Sequence, residues 1–435
     1  MRCERESVGV VLPACLPSVE GGVHTKLLGL DVHREFTYVV MLERERLTHL
    51  GRIPTTPEAL RSLAARLGPE DHVVLEATVN TYAIVQLLRQ HAGRVVVSNP
   101  VQTRAIADAK IKSDKVDAEV LVRLLAGGWL PEVWVPDERT QALRQQVAHR
   151  ADLVQQQTRL KNRIQSVLHR NLVPGCPRSD LFGKAGRAWL MQHALPQLPT
   201  HEQAMIHATL RELAVVQGER GQAERTLAEI ALAQPAVRRL MTIPGIDAVT
   251  ALAVLAAIGD IHRFHAPSKL VGYLGLDPRV RQSGTRLATT GHISKRGRAH
   301  ARGLLVEAAW AAVKTPGPLR AFYHRLRSRR GAQIAAVATA RKIAVLAWHL
   351  LTRDEDYTFA RPSLMTRKWR ALELHAGRPA RRGQLGMAHA YNVKAARRQE
   401  LELCTQAERA YVALTHQWQH KRTQQDAGAT NGKRL

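Results

Sequence analysis

The chain has 435 residues, with 64 Lys and Arg against 37 Asp and Glu, a net charge of +27 with histidine neutral. Its 45% hydrophobic content excludes a disordered polycation, and so large a positive excess points to a polyanionic partner. The apolar stretch Ala248 to Gly259 is shorter than the ~20 residues of a membrane span, and Cys3, Cys15, Cys176 and Cys404 show no C-x-x-C spacing. That spacing excludes a zinc ribbon and argues against a disulfide framework, so a cytoplasmic location without a membrane partner is expected.

Residues 1–25 read as a flexible leader. Leu12 to Cys15 has the outline of a lipoprotein cleavage site. The apolar run before it, Val8 to Leu12, falls short of the roughly 7–15 residues of a secretory segment. Residues 26–135 hold 14 Lys and Arg against 13 Asp and Glu, so the whole positive excess lies downstream of Val135. This segment reads as a mixed, layered α/β domain. Strands are expected at Lys26–Leu30, Phe36–Leu42, His72–Leu75 and Arg94–Val97. A helix opens at Thr55-Thr56-Pro57-Glu58, where a threonine caps and a proline enters the first turn. Further helices are expected at Tyr82–His91 and Asp114–Leu125, the last stopped by Gly127-Gly128.

From about Pro136 the pattern turns all-α. Residues 136–236 read as a helical coiled-coil arm: Leu153, Leu160 and Val167 recur every seven residues with Ile164 beside them, and His201–Ala233 returns antiparallel. Such an arm serves oligomerisation or nucleic-acid contact along its basic face. Residues 237–357 read as a helical C-terminal domain broken by glycine turns. Residues 358–435 read as a basic tail, with 15 Lys and Arg against 5 Asp and Glu between 361 and 435. Little periodicity appears there, and the tail is expected to be largely disordered.

Asp31 and Glu76 close strands (LLGLD, HVVLEA), and Asp114 and Asp117 open a helix at i, i+3 on one face. Singly, each has an ordinary reading as a turn former or a cap, Asp114 above all as an N-cap. Together, at strand ends where α/β sheets gather functional residues, they would repel one another unless a cation intervened. Oxygen donors without His or Cys suit Mg²⁺ or Mn²⁺. Two such ions about 3.5–4 Å apart would serve phosphodiester cleavage. Lys112 and Lys115 flank the aspartates within reach of a phosphate backbone, and Thr78 and Asn80 could position the turn after Glu76.

In the basic half, Ile243-Pro244-Gly245-Ile246 before an apolar helix has the outline of a helix-hairpin-helix, with Gly245 exposing backbone N–H groups to a phosphate. A plain turn between core helices explains it equally well. Ser283 stands in Arg279-Val280-Arg281-Gln282-Ser283-Gly284-Thr285-Arg286, read as a polar loop between Pro278 and a following basic helix. Turn chemistry is the ordinary account of such a serine; a hydroxyl among guanidiniums also suits attack on a phosphodiester. Arg281, Arg286, Lys295, Arg296 and Arg298 are candidate phosphate contacts. At 4% aromatic residues, a stacking platform for single strands is not indicated.

LLGLDVH, VLEATVNTY, SNPVQTR and IKSDKVDAEVLVRLL together resemble the signatures of the DEDD-type transposases of bacterial insertion sequences. LMTIPGIDAVTALAVLAAIGDIHRF, KLVGYLGLDPRVRQSGTR and GHISKRGRAHARGLLVEAA resemble that family's C-terminal domain, in the family's order. The resemblance implies a RuvC-like (RNase H-like) fold for 26–135 and a DNA strand-transfer reaction. It further implies Mg²⁺ on Asp31, Glu76, Asp114 and Asp117, and Ser283 as a nucleophile that forms a phosphoserine link to DNA. In this chain Arg281-Gln282 precede the serine where an aromatic-acidic pair often stands in the family. The resemblance also implies a structured guide RNA and a homo-oligomer. A junction nuclease using water on the same carboxylates, or a non-catalytic nucleic-acid-binding remnant, would carry much of the same pattern.

Overall fold

The computed structural model describes residues 25–107, 113–284, 288–378 and 393–431. Residues 1–24 of the leader, Lys112 and Arg286 lie outside the described residues. The chain divides into two compact units, Met1–Val135 and Pro136–Leu435.

The first unit is a mixed five-stranded sheet in the order β3-β2-β1-β4-β5. β1 (Leu27–Val32), β2 (Phe36–Glu43) and β3 (Arg46–Pro54) are antiparallel neighbours. β4 (His72–Glu76) and β5 (Arg94–Ser98) continue from β1 in parallel. Leu28, Leu30, Val73 and Leu75 are buried with the apolar sides of α1 (Pro57–Ala64) and α2 (Thr81–Leu88). The short α3 (Pro100–Ile106) is capped by Asn99, whose side chain accepts from the N–H of Val101 at 3.1 Å. On the opposite side, Val40 packs with Ala118 and Val122 of α4 (Asp114–Ala126). β3 lies outside the elements expected from sequence. It is an edge strand whose residues alternate between exposed and half-buried from Leu50 to Pro54, so it lacks the apolar run that marks its neighbours.

In the second unit α5 (Glu138–Arg170) and α7 (Thr200–Leu232) run antiparallel. Arg150 bonds Glu224 at 2.8 Å, Gln157 accepts from Arg220 at 2.8 Å and Arg170 bonds Glu202 at 2.6 Å, partner numbers falling as the first rise. Leu160, Ile164 and Val167 are buried against Ile206 and Leu213, and against Phe182, Leu190 and Leu195 of the connection that contains α6 (Lys184–Trp189). The seven-residue stripe that would suit an oligomer seam is thus taken up within the chain.

The rest of the unit is helical around one core. It comprises α8 (Pro235–Met241), α9 (Ala248–Ile258), α10 (Pro267–Tyr273), α11 (Ala299–Ala312), α12 (Pro318–Arg330) and α13 (Ala332–Arg353). A two-stranded hairpin of β6 (Pro278–Arg281) and β7 (Thr289–Ile293) is inserted among them. Among the described residues, α13 alone is long and apolar enough to cross a membrane. Its Ala340, Ile343, Ala344 and Ala347 are buried in the core.

The tail departs from the disorder expected of it. α14 (Pro362–His375) and α15 (Lys394–Asn431) form instead. Leu372 is buried in the core with Met365 and Trp369 against it. The carboxylate of Glu400 accepts from the Ser363 N–H at 2.8 Å, and that of Glu408 from the Gly317 N–H at 3.0 Å and from Arg320 at 2.8 Å. The apolar positions are too sparse to show a period, and polar anchors carry much of the docking.

Lys368 of α14 donates to the carbonyls of Met241 and Ile246 at 2.8 and 2.7 Å, clamping the turn between α8 and α9. Burial pushes its ammonium down to about 8 from 10.5. The unfolded chain keeps this proton to higher pH than the folded one, so this group makes stability rise with pH between about 8 and 10.5. Urea unfolding across that range is expected to show the rise in the native chain and not in Lys368→Met.

Candidate metal centre

Glycine at position 29 decides where the carboxylates meet. A Cβ there would lie 2.3 Å from the Ala118 carbonyl oxygen of α4, so only glycine lets the helix approach β1 this closely. Asp31, two residues on, leaves the same face of the sheet. β1 and β4 are parallel with Leu30 opposite Leu75, which makes Asp31 and Glu76 the next residues on each strand and sends both side chains to the α4 side. Ser113, rather than Asp114, caps α4, its hydroxyl accepting from the Val116 N–H at 3.4 Å. Asp114 and Asp117 therefore stand in the first turn, where the helix dipole favours negative charge.

His33 Nε2 lies 3.0 Å from Asp31 Oδ2 and 3.2 Å from Asp114 Oδ1. Arg52, on β3, reaches Asp114 Oδ2 at 3.1 Å and stacks over Phe36 at 4.3 Å. Burial raises the Asp31 pKa; His33 opposes that rise, and the charges of Asp117 and Asp114 add to it. Thr78 and Asn80 form the turn after Glu76: the Thr78 hydroxyl donates to Asn80 Oδ1 at 2.7 Å, and its N–H to Thr81 Oγ1 at 2.6 Å. One ligand atom each from Asp31, His33 and Asp114 falls within 4.8 Å of the others. Two carboxylates this close, one with a raised pKa, are a donor set that a divalent cation fits. His33 and Arg52 were not singled out from sequence. His33 stands two residues after Asp31 in LLGLDVH, and Arg52 lies on the overlooked edge strand.

Apart from Lys112 and Lys115, the basic candidates belong to the second unit. Ser283 is exposed in the loop of the β6–β7 hairpin, and a strand rather than a helix follows that loop. TTGHI carries no apolar run, which hid the strand from sequence. Gly275 and Gly297 lock the base of the hairpin at φ +69° and +116°; a Cβ on Gly297 would stand 2.1 Å from the Tyr273 carbonyl oxygen. Ser294 donates to Asp277 Oδ1 at 2.6 Å, which gives it a structural place. Arg281, Lys295 and Arg296 are exposed, as is Lys115 on α4 of the first unit. Arg298 instead turns inward, its Nε donating to the Tyr273 hydroxyl at 3.0 Å. Gly245, at φ +87°, would place a Cβ 2.0 Å from the Ala308 carbonyl oxygen, so packing against α11 accounts for that glycine.

The family model of the DEDD transposases of IS110 matches residues 28–172, and that of the IS116/IS110/IS902 transposases matches residues 237–324. The chain belongs to the IS110 family of DEDD transposases. Its activity is that of a transposase and its substrate is DNA. The transposase for insertion sequence element IS1111A of Coxiella burnetii is 40% identical over 32% of this chain and 38% of its own. The transposase for insertion sequence element IS1328 of Yersinia enterocolitica is 24% identical over 76% of this chain and 98% of its own. The pilin gene-inverting protein of Moraxella bovis is 24% identical over 66% of this chain and 81% of its own.

In this transposase the raised Asp31 pKa has a consequence for stability. The folded state holds the Asp31 proton more tightly than the unfolded state, so this contribution falls as pH rises past the ordinary value of 3.8. At neutral pH ionised Asp31 works against folding. Asp31→Asn is expected to leave the thermal midpoint unchanged or raised, measured by circular dichroism at neutral pH without added metal.

Proposed function

We propose that this transposase cleaves and rejoins DNA to excise and insert its insertion sequence, with Asp31, Glu76, Asp114 and Asp117 holding Mg²⁺ or Mn²⁺ and Ser283 as nucleophile. The observation that carries the reading is the meeting of Asp31 and Asp114 at the end of β1, in a sheet read as RuvC-like. A divalent cation bound there supplies positive charge beside the scissile phosphate. The chain's own part is to set that charge in place: the strand end fixes Asp31, the helix start fixes Asp114 and Asp117, and the turn of Thr78 and Asn80 holds the backbone after Glu76.

Ser283 stands on an exposed hairpin with Arg281 on its stem and Lys295 and Arg296 just beyond it. In the proposed reaction its Oγ forms a bond to phosphorus while a P–O bond of the DNA backbone breaks. The serine proton leaves to solvent or a base, and the departing strand end takes up a proton as a hydroxyl. The phosphoserine diester conserves the bond for rejoining when a strand hydroxyl attacks it. A structured guide RNA is the proposed source of sequence choice, and exposed arginines and lysines would hold its backbone and that of DNA. A homo-oligomer is proposed because strand exchange needs several cleaved ends held together.

The test incubates the full chain with divalent metal, RNA from the element's flank and both DNA sites. A covalent protein–DNA adduct is expected, absent from Ser283→Ala and reduced by at least about a hundredfold in Asp114→Asn. Hydrolysed DNA without an adduct, indifferent to Ser283→Ala, would mean that water is the nucleophile.

A further inference from the structure

We propose that His33 is a ligand of the divalent cation held by Asp31 and Asp114, which makes the centre a mixed nitrogen–oxygen site that favours Mn²⁺ over Mg²⁺. The assignment rests on the proposal above that these carboxylates hold metal. Its own support is geometric. Nε2 is 3.0 Å from one carboxylate oxygen and 3.2 Å from another that belongs to a different element. Adjacent ligand atoms on an octahedral ion with bonds of about 2.1 Å lie about 3.0 Å apart, which is this spacing. A ring nitrogen has at most one hydrogen and cannot direct it well at both oxygens, whereas a lone pair on a shared ion satisfies the whole set.

The ring is also held in place before any ion arrives. The His33 main-chain N–H donates to the Phe36 carbonyl at 2.9 Å, and its main-chain carbonyl accepts from Thr55 Oγ1 at 3.0 Å. The ring packs on Phe36 with centroids 4.7 Å apart. Arg52 stacks on that same Phe36. Its guanidinium occupies Asp114 Oδ2, the oxygen His33 does not approach, so Asp114 can offer Oδ1 to an ion while Arg52 keeps the other. Imidazole nitrogen is better tolerated by transition ions than by Mg²⁺, which sets the direction of the preference.

The opposite role has the opposite sign. A protonated His33 acting as a stand-in cation would compete with metal, and its removal would tighten binding. A ligating His33 makes removal weaken it. The experiment titrates Mn²⁺ into the full chain without nucleic acid, reads bound Mn²⁺ by electron paramagnetic resonance with detection of directly coordinated nitrogen, and competes it with Mg²⁺. The expected result is a nitrogen signal in the native chain that vanishes in His33→Ala. Mn²⁺ affinity in that variant should be weaker by roughly tenfold or more, with a smaller loss for Mg²⁺. His33→Gln, which offers an amide oxygen, should recover part of the affinity without the nitrogen signal. Tighter or unchanged Mn²⁺ binding in His33→Ala, or no nitrogen signal in a chain whose binding Asp31→Asn abolishes, overturns the assignment and leaves the carboxylate centre standing. Mn²⁺ binding that is absent, or indifferent to Asp31→Asn, overturns both.

Discussion

The approach of α4 to β1 at Gly29 is the contact on which the candidate centre depends. Any side chain at 29 would push against the Ala118 carbonyl, and the first turn of the helix would move with it. That turn carries Asp114 and Asp117, while Asp31 is fixed by a central strand. The packing of a buried backbone therefore sets the distance between carboxylates that would otherwise repel. Apolar packing on both faces of the sheet holds the arrangement, and the electrostatic strain is eased locally. The helix start favours Asp114 and Asp117, and His33 lies against one oxygen each of Asp31 and Asp114 while Arg52 takes the other oxygen of Asp114. The raised Asp31 pKa is the remainder of that strain, since burial outweighs the partners.

Sequence carried the parts of this arrangement that repeat or that cap. The strands β1, β2, β4 and β5 are legible as short apolar or β-branched runs, and α1 by its threonine and proline. The carboxylates stood out because strand ends and helix starts are where such residues gather. What stayed hidden has a common cause, which is that it depends on neighbours across the fold. β3 is half solvated and shows no apolar run, so Arg52 had no element to sit on. His33 gains meaning only when the turn after β1 folds back over Asp31. The all-oxygen donor set expected from sequence weighs the acidic residues alone, and the structure adds His33 beside two of them.

The second unit shows the same limit with a different outcome. The sequence shows glycine turns breaking this helical unit, and at Gly245, Gly275 and Gly297 the fold gives each glycine a specific backbone neighbour that excludes a Cβ. The stripe on α5 was legible as a seven-residue repeat, yet no repeat says whether its partner is another chain or the returning helix. Here α7 and the 182–198 connection take it up. The tail shows the converse. Its composition suggested disorder because charge dominates, and charge is what docks it: Glu400, Glu408 and Lys368 each meet backbone groups of the body or of α14.

These assignments refine what the net charge of +27 means. Several cations in the second unit are engaged internally, Arg298 with Tyr273, Arg320 with Glu408 and Lys368 with two carbonyls. Arg281, Lys295 and Arg296 stand exposed around the β6–β7 hairpin, beside the exposed Ser283. The base of that hairpin is pinned by Gly275, Gly297 and the Ser294–Asp277 bond. On the proposed reading, a nucleophile presented this way meets phosphate where cations already gather, while the charge-balanced first unit keeps its acidic residues for metal. Within the first unit Arg52 takes one oxygen of Asp114 and leaves the other to His33.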